Sequence, residues 1–377
     1  MKMLIDGLSI SYMHGTGYFS YAYGLLNNLF YIYPQPNYEL LWESGSIPEC
    51  WNKYKNITYS KVQVNRKSND YELLEEHLIN TKTDLYFSPN NGLSIPQNKV
   101  CKYIMTVHDL SPVSCSNLVD NKYYHKFLSL FPDAIKKADS IIAVSEFIKK
   151  EIIKFYKIPD KKIEVVYPGC SDIFRPLNLG ASKAFLKAHY QIEGRFILYA
   201  GSLHSRKNLD VVIKAFKGLL KDINDMKLVI VGSFDSKRRE YYLKLKNLAA
   251  KLGIDKHIIF TGTVEYNDMP HFYNSADCSV NLSSYDGFPI TTIEAAACKT
   301  PVVCLRNGSF EEITVPSAVF LDTPDMNLLK NAFIDILSKN EKKDCFKNQS
   351  YDQSVIYNWE ISAKKLVRII ESTVYDT

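Results

Sequence analysis

A strand–turn–helix–strand pattern in residues 281–305 constrains the fold of this chain more than any other feature. A short apolar run ends at Leu282, and a polar turn follows in which Gly287 provides backbone freedom. A helix is predicted to begin near Pro289, which suits the first helical position because proline has no amide hydrogen to satisfy. The β-branched pair 302–303 predicts the next buried strand. The pattern is therefore a βαβ unit, and its helix presents free amides to an anion.

The rest of the chain repeats this alternation. Apolar runs predict strands at residues 3–5, 40–42, 84–87, 103–107, 140–144, 196–200, 227–231 and 258–261. Helical spacing lies between or beside them at residues 18–29, 71–80, 123–137, 147–156, 209–220 and 237–252, with a last helix over 361–374. A chain of 377 residues is too long for one compact core. The sequence therefore predicts the α/β class, with parallel sheets flanked by helices in two domains.

Composition excludes several classes of protein. Hydrophobic residues make up 46% and charged residues 23%, as in an ordinary soluble chain, and no run reaches the ~20 apolar residues of a membrane span. The eight cysteines are scattered without a CxxC pair, which predicts reduced thiols in a cytoplasmic protein and not a disulfide framework or zinc site. A net charge of +5 is too mild for a nucleic-acid binder, although it suits an anionic substrate or membrane surface.

Polar and charged residues follow several predicted strands, at the edge where such sheets bind ligands. Asp286 and Glu294 lie eight residues apart across the turn and helix of the opening pattern, Arg206 and Lys207 follow strand 196–200, and His108 follows strand 103–107. Each residue has an ordinary alternative. Glu294 complements a helix dipole, Asp286 forms a turn, the Arg–Lys pair is solvated, and His108 is a structural hydrogen bonder.

Two segments resemble one family. Asp286, Gly287-Phe288, Glu294-Ala295 and residues 300–303 (Thr-Pro-Val-Val) match the signature of the retaining glycosyltransferases of family 4 in order and spacing. The segment Arg206-Lys207-Asn208 matches the same family. One departure is that the family usually has Glu where this chain has Asp286.

The resemblance implies two facing Rossmann-like domains, the GT-B architecture. Residues 1–172 would form the acceptor-side domain, with the C-terminal helix 361–377 packing back on it. Residues 173–360 would form the domain that binds the nucleotide-sugar donor. A linker is expected at residues 171–178, where Arg175-Pro176 breaks regular structure.

The resemblance also implies roles for the residues that match. Arg206 and Lys207 would stabilise the leaving diphosphate, Asp286 would accept from hydroxyls of the sugar, and Glu294 would hold the ribose. Amides of the turn and helix start would meet the phosphates, in a donor-binding segment formed by Gly287, Phe288, Pro289, Ile290 and Thr291.

Four further residues are expected near the donor. His108, on the first domain, would lie near the donor sugar, and backbone groups of Val264 would border the base. Gly15 and Gly17 would let a loop backbone approach a phosphate. The alternative for that loop is a dinucleotide fingerprint, but the third glycine is missing, and Glu39 stands at the start of the next predicted strand where that fingerprint needs an acid at the strand's end.

No cofactor or metal is expected. Many glycosyltransferases hold a divalent ion with two aspartates one residue apart, and no two aspartates in this sequence have that spacing. Side-chain cations and helix amides would therefore meet the charge of the leaving group.

The predicted function is a metal-independent, retaining transfer of a hexose from a nucleotide-diphosphate sugar to a glycan or lipid-linked acceptor, in surface polysaccharide or glycoconjugate synthesis. The Gly-Thr-Gly segment and the Gly-Ser-x-x-x-Arg-Lys-Asn loop look most like the mannosyltransferase branch, so GDP-mannose is the favoured donor. Two alternatives stay open. They are a nucleotide-sugar epimerase of the same architecture and a catalytically silent nucleotide-binding module.

A stretch in the first half of the chain combines lysines with aromatic residues, as in segments that bind a membrane surface. The lysines are 122, 126, 136, 137, 149, 150, 154 and 157, and the interleaved aromatic residues are Tyr123, Tyr124, Phe127 and Phe131. This composition suits reversible peripheral contact with an anionic inner leaflet. Solvated helix faces with aromatic core positions are the alternative. No nucleic-acid partner is expected.

Overall fold

The computed structural model describes residues 1–12, 17–43, 47–61, 71–235, 238–313, 318–338, 351 and 354–375. The chain divides into two compact units, one formed by Met1–Gly169 with Asn358–Thr377 and the other by Cys170–Tyr357. These bounds differ by three residues at each junction from the predicted limits, with 169 against 172 and 357 against 360. The assignment of an acceptor side and a donor side to the two domains stays a prediction.

The first unit is built around a seven-stranded parallel sheet in the order β3-β2-β1-β4-β5-β6-β7. Its strands are β1 (Lys2–Asp6), β2 (Asn37–Leu41), β3 (Ile57–Ser60), β4 (Leu85–Ser88), β5 (Lys102–Val107), β6 (Ser140–Ala143) and β7 (Ile163–Val165). Its helices before the second unit begins are α1 (Leu8–Tyr12), α2 (Gly17–Ile32), α3 (Glu72–Asn80), α4 (Ser111–Ser114), α5 (Asn121–Lys137) and α6 (Glu146–Tyr156).

The strand order reverses beside β1, which pairs with β2 on one side and β4 on the other. Met3, Leu4 and Ile5 are fully buried, as expected of a strand covered on both faces. A doubly wound sheet opens a ligand crevice where the order reverses, outside the carboxyl ends of its strands. In this unit the crevice position lies beyond β1, β4 and β5.

The second unit has a six-stranded parallel sheet in the order β10-β9-β8-β11-β12-β13. Its strands are β8 (Arg195–Ala200), β9 (Met226–Val231), β10 (Ile258–Gly262), β11 (Cys278–Asn281), β12 (Val302–Leu305) and β13 (Ala318–Leu321). Its helices are α7 (Leu179–Tyr190), α8 (Leu209–Leu219), α9 (Arg239–Lys251), α10 (Met269–Ser275), α11 (Ile290–Ala297), α12 (Ser309–Ile313) and α13 (Met326–Ser338).

The βαβ unit predicted from the sequence is present in this second sheet. Strands β11 and β12 pair in parallel, with Ser279 opposite Val302, and α11 connects them. The expected position of Pro289 is wrong by one residue. It lies just before the first helical residue, with φ −81° and ψ 71°, so the helix begins at Ile290.

Helix α14 (Trp359–Tyr375) returns to the first unit and packs on α2. The Trp359 ring meets the Tyr21 ring edge-on at 5.8 Å. The indole also occupies the space beside two glycines, because a Cβ built on Gly24 would lie 2.3 Å from Trp359 Cε2 and one built on Gly169 would lie 2.6 Å from Trp359 Cγ. Both glycines therefore allow this helix to dock.

The predicted α/β class with two parallel sheets is confirmed. The elements that were not predicted from the sequence are strands β3 and β13 and helices α1, α4, α7, α10, α12 and α13. In the part of the chain that the structure describes, no helix combines the length and apolar character needed to cross a bilayer. The seven cysteines in that part are all free thiols.

Candidate active site

Two loops meet at the carboxyl ends of β8 and β11, the neighbouring strands at which the second sheet reverses its order. The first loop runs from Gly201 through a short 3-10 turn, Ser205–Lys207, into α8. The second runs from Leu282 to Pro289 and leads into α11. Arg206 and Lys207 lie on the first loop and Asp286 lies on the second, so the structure brings Asp286 close to two residues about 80 positions earlier in the chain.

Arg206 is fastened to the second loop. Its Nη1 donates to the Tyr285 carbonyl oxygen at 2.6 Å and to Ser283 Oγ at 3.3 Å. The backbone of the same residue accepts from the Ser284 amide at 2.8 Å. These bonds fix the guanidinium at the mouth of the sheet and limit its freedom before any ligand arrives.

Lys207 is almost entirely buried, with 8% of its surface exposed. Its Nζ lies 2.6 Å from Asp286 Oδ2, and the Asp286 side chain is 19% exposed. A buried ammonium is costly unless it is paired, so Asp286 supplies the charge that allows Lys207 to occupy this position.

Two uncharged residues for which the sequence predicted no role complete the loop contacts. Asn208 has φ 52° and donates from Nδ2 to the Leu282 carbonyl oxygen and to Ser284 Oγ, both at 2.8 Å. Ser309, fully buried at the start of α12, donates to the Asp286 carbonyl oxygen at 2.6 Å. Only their positions in the sequence could have identified these two residues. Asn208 directly follows the Arg–Lys pair, and Ser309 follows Gly308 shortly after a buried strand.

The start of α11 carries the amides that were predicted to meet the phosphates. The Ile290 amide donates to the Phe288 carbonyl oxygen at 3.0 Å within the turn. The predicted contacts of this segment with phosphate stay a prediction. Thr291 accepts a bond at Oγ1 from Asn281 Nδ2 at 3.4 Å, and the Phe288 ring meets Tyr357 edge-on at 5.7 Å.

Glu294 is buried inside α11, with 5% of its surface exposed. The Tyr273 hydroxyl donates to its Oε2 at 3.0 Å. Burial raises the pKa of Glu294 to about 8, which outweighs the opposite effect of this hydrogen bond, so the side chain is mostly neutral at pH 7. Asp286 and Glu294 therefore bond to different partners, and no hydrogen bond connects them among the described residues.

The other predicted donor contacts lie on other elements or outside the described residues. Val264 is half-buried beyond the end of β10, the edge strand of the sheet, and packs on the core that includes Phe272. Gly17 is the first residue of α2 in the first unit. Gly15 lies outside the described residues.

His108 follows β5 in the first unit. Its Nε2 lies 2.7 Å from the Pro89 carbonyl oxygen, which can only accept, so Nε2 carries the hydrogen and Nδ1 keeps its lone pair. The rings of Tyr18 and Tyr21 meet the imidazole edge-on at 4.7 Å and 4.6 Å. Burial lowers the pKa of His108 to about 4, against the opposite effects of the Pro89 contact and Asp109, so the ring is neutral at pH 7.

The basic, aromatic stretch of the first unit differs in part from its prediction as a membrane surface. Phe127 and Phe131 are fully buried and stack on each other with ring centroids 4.3 Å apart. Lys137 pairs with Asp133, and Lys149 lies 3.0 Å from Asp160. Those two phenylalanines belong to the core, and those two lysines have acidic partners.

Two protein families match the chain. Residues 71–172 match the family described as Glycosyltransferase Family 4. Residues 183–353 match the family described as Glycosyl transferases group 1. The first match lies in the first structural unit except for its last three residues, and the second lies wholly in the second unit.

Individual proteins agree with these matches. An uncharacterised glycosyltransferase of Methanocaldococcus jannaschii is 28% identical over 290 residues, covering 72% of this chain and 70% of that protein. The O-antigen chain mannosyltransferase B of Escherichia coli is 22% identical over 279 residues, covering 74% of this chain and 72% of that protein. The Anabaena protein HepE, solved in complex with UDP-glucose, has a TM-score of 0.78 at 15% identity, covering 99% of this chain and 100% of that one.

Both units of the chain therefore have a family match, and the whole chain shares its fold with the solved Anabaena protein. The two parallel sheets and the polar loop pair beyond β8 and β11 agree with that assignment. The chain belongs to the glycosyltransferases of the family 4 type, with the GT-B fold.

Proposed function

We propose that the chain is a retaining glycosyltransferase that moves a hexose from a nucleotide-diphosphate sugar to a glycan or lipid-linked acceptor without a metal ion. The observation that carries this proposal is the loop pair beyond β8 and β11, in which Arg206, Lys207 and Asp286 converge. Two cations and one carboxylate at the switch point of a parallel sheet suit a ligand with an anionic diphosphate and a hydroxylated sugar.

Arg206 and Lys207 stabilise the leaving diphosphate in this mechanism. The negative charge on that group increases as the glycosidic bond breaks, and cations already held in place lower the barrier without reorganising. Arg206 is held by Tyr285 and Ser283, so its position is set in advance. Lys207 is held by Asp286, and a phosphate oxygen would compete with that carboxylate for the ammonium.

Asp286 and Glu294 bind opposite ends of the donor. Asp286 accepts from hydroxyls of the sugar, which gains positive charge in the transition state. Glu294 accepts from the ribose hydroxyls. The support for the second role is that Tyr273 engages Oε2, while Oε1 has no hydrogen-bond partner in the described residues.

His108 contacts the donor sugar in this proposal. Because Nε2 donates to Pro89, the unprotonated Nδ1 is the nitrogen that accepts from a sugar hydroxyl. A neutral ring at pH 7 suits this role, since a protonated ring could not accept.

Retention of configuration follows from a front-face reaction. Asp286 and Glu294 are already assigned to the sugar and the ribose, so no pair of carboxylates remains to act at the anomeric carbon as in a retaining hydrolase. The leaving phosphate itself takes the proton of the acceptor hydroxyl. With Arg206 and Lys207 balancing the diphosphate charge, the reaction proceeds without a divalent ion.

GDP-mannose is the donor that we favour. The similarity to the Escherichia coli O-antigen chain mannosyltransferase supports mannose and a role in surface polysaccharide synthesis. Differential thermal denaturation with GDP, UDP, GDP-mannose and UDP-glucose tests this choice, because a ligand at 100 times its dissociation constant adds about 2.7 kcal/mol to the free energy of unfolding. A shift with UDP and none with GDP would overturn it.

In this proposal the first domain also makes reversible contact with an anionic membrane at the inner face of the cell. The support is a set of exposed lysines on α5, on α6 and directly after α6. They are Lys122, Lys136, Lys150, Lys154 and Lys157. Flotation with phosphatidylglycerol vesicles should recover the protein at low salt and lose it at high salt. Absence of binding at low salt would contradict this part of the proposal.

A further inference from the structure

Asn91 lies directly behind His108 and is fully buried. It follows β4, and its backbone has φ 60°, a left-handed conformation that asparagine tolerates better than most residues. The Asn91 amide donates to the Thr106 carbonyl oxygen on β5 at 2.9 Å. The backbone of Asn91 is thus attached to the strand that carries His108.

The Asn91 side chain makes three further bonds. Its Oδ1 accepts from the His108 backbone N–H at 2.7 Å. Its Nδ2 donates to the hydroxyl of Tyr18 at 3.1 Å and to the hydroxyl of Tyr123 at 3.3 Å. One buried amide therefore connects the end of β5 with helices α2 and α5.

Tyr18 completes a closed set of contacts around the imidazole. Its ring meets His108 edge-on at 4.7 Å, and its hydroxyl lies 3.5 Å from Asp109 Oδ2. Asn91 thus acts on His108 by two routes, through the backbone N–H and through the aromatic ring that packs on the imidazole.

We propose that Asn91 is the positioning residue that holds His108 in its working orientation, with Nε2–H directed at Pro89 and Nδ1 available to substrate. This inference rests on the role of His108 in the proposed function. It adds a residue for which neither the family signature nor the loop pair of the second unit accounts.

The side chains that could replace asparagine each keep only part of this arrangement. Glycine keeps the left-handed backbone but removes all three side-chain bonds. Aspartate keeps the acceptor for His108 N–H but loses the donor to both tyrosines, and it places a negative charge beside the imidazole. Asn91→Gly and Asn91→Asp therefore separate the geometric effect from the electrostatic one.

The direct test is 15N NMR of the histidine rings as a function of pH, assigned to His108 with His108→Ala. In the unaltered protein His108 should show the Nε2–H tautomer and stay neutral to well below pH 6. The titratable groups around the ring are Asp109 on its own loop and Tyr18 and Tyr21 on α2. Asn91→Gly should give mixed tautomers, and Asn91→Asp should shift the titration to higher pH because a carboxylate favours the charged ring.

The neighbouring Asn90→Ala is the matched control. Asn90 bonds to Asp6 and Ser88 and not to His108, so its loss should leave the His108 signals unchanged. If the His108 ring signals of the Asn91→Gly protein match those of the unaltered protein, the inference is overturned. The inference would also be overturned if Asn90→Ala changed the His108 signals as much as Asn91→Gly does. The effect would then not be specific to Asn91.

A double-mutant cycle connects the geometry to turnover, with release of GDP from GDP-mannose as the assay. Asn91→Gly should lower kcat about 10-fold to 100-fold and leave GDP affinity unchanged, because displacement of a catalytic group is costly while the nucleotide binds elsewhere. In the His108→Ala background the same change should have little further effect. An equal loss in both backgrounds would show that Asn91 does not act through His108, whereas full turnover of His108→Ala alone would refute the role of His108 in the proposed function.

Discussion

The Lys207 ammonium lies 2.6 Å from the Asp286 carboxylate in a site where only 8% of the lysine is exposed. The cation assigned to the leaving diphosphate is thus paired with the acid assigned to the sugar. Arrival of the donor must either displace this ion pair or extend it. The family usually has Glu at this position, and in this chain the shorter Asp286 reaches Lys207 directly.

Arg206→Ala is expected to lower turnover about 100-fold, because it removes a prearranged donor at the leaving group. Measurement of kcat for GDP release from GDP-mannose checks this. Arg195→Ala is the matched control. Arg195 is the first residue of β8, at the end of the strand opposite the loop that carries Arg206, and it pairs with Asp277. If Arg206→Ala keeps the turnover of the control, the diphosphate role is wrong.

Asp286→Asn should lower kcat more than it raises KM, because the lost interaction is strongest in the transition state. Asp286→Glu should also lower kcat, since the longer side chain crowds the sugar, while affinity for bare GDP stays unchanged. Steady-state kinetics and calorimetric titration with GDP measure the two effects. Full turnover of Asp286→Asn would remove this residue from the mechanism.

Glu294→Gln should weaken affinity for GDP and raise KM, because the ribose contact is present in the ground state and in the transition state. It should also change the dependence of stability on pH. The folded pKa of about 8 lies above the ordinary value of 4.5, so the folded state binds the proton more tightly. The stability that this proton contributes is complete below pH 4.5 and is lost as pH rises to 8.

The glutamine variant lacks this loss, so its free energy of unfolding relative to that of the unaltered protein should rise across that window, by at most about 1.4 kcal/mol per pH unit. Thermal denaturation of both proteins at a series of pH values measures the difference. A difference in stability that does not change with pH would show that Glu294 titrates normally. Unchanged GDP affinity would separately exclude the ribose role.

Gly24→Ala should destabilise the first unit by about 1–3 kcal/mol or more, because the added methyl overlaps the Trp359 indole and overpacks the interface between α2 and α14. Gly17→Ala, at the exposed start of the same helix, has no atom within 4 Å of the added Cβ and should change stability by about 0.5 kcal/mol or less. Urea unfolding followed by tryptophan fluorescence compares them. Equal stability of the two variants would mean that the helix docks differently.

The sequence predicted the sheets well because buried parallel strands are short, continuous apolar runs, such as Phe196–Ala200. The sequence did not predict α7. Asn178, the last residue of the expected linker, accepts from the Ala181 amide and caps the start of this helix. A local cap of this kind is visible in sequence only when the helix behind it has a clear apolar stripe, and α7 buries only Ser182 and Leu186.

The candidate site was predictable in its charged residues but not in their pairing. Arg206, Lys207 and Asp286 could be placed after strands, yet nothing in the sequence indicated that Lys207 bonds to Asp286 or that Glu294 faces Tyr273. Asn91 carries no motif. Its importance depends on a fold that brings the ends of β4 and β5 and two helices to one amide.

The most direct test of the central claim is 1H NMR of the anomeric proton during hydrolysis or transfer from GDP-α-mannose, with a chelator present. A retaining, metal-independent reaction predicts that the first product carries mannose in the α configuration, released together with GDP, at the same rate with and without chelator. A first product in the β configuration would contradict retention, and loss of all turnover in chelator, restored by Mg²⁺ or Mn²⁺, would contradict metal independence. A new sugar still attached to the nucleotide would show that the chain is an epimerase.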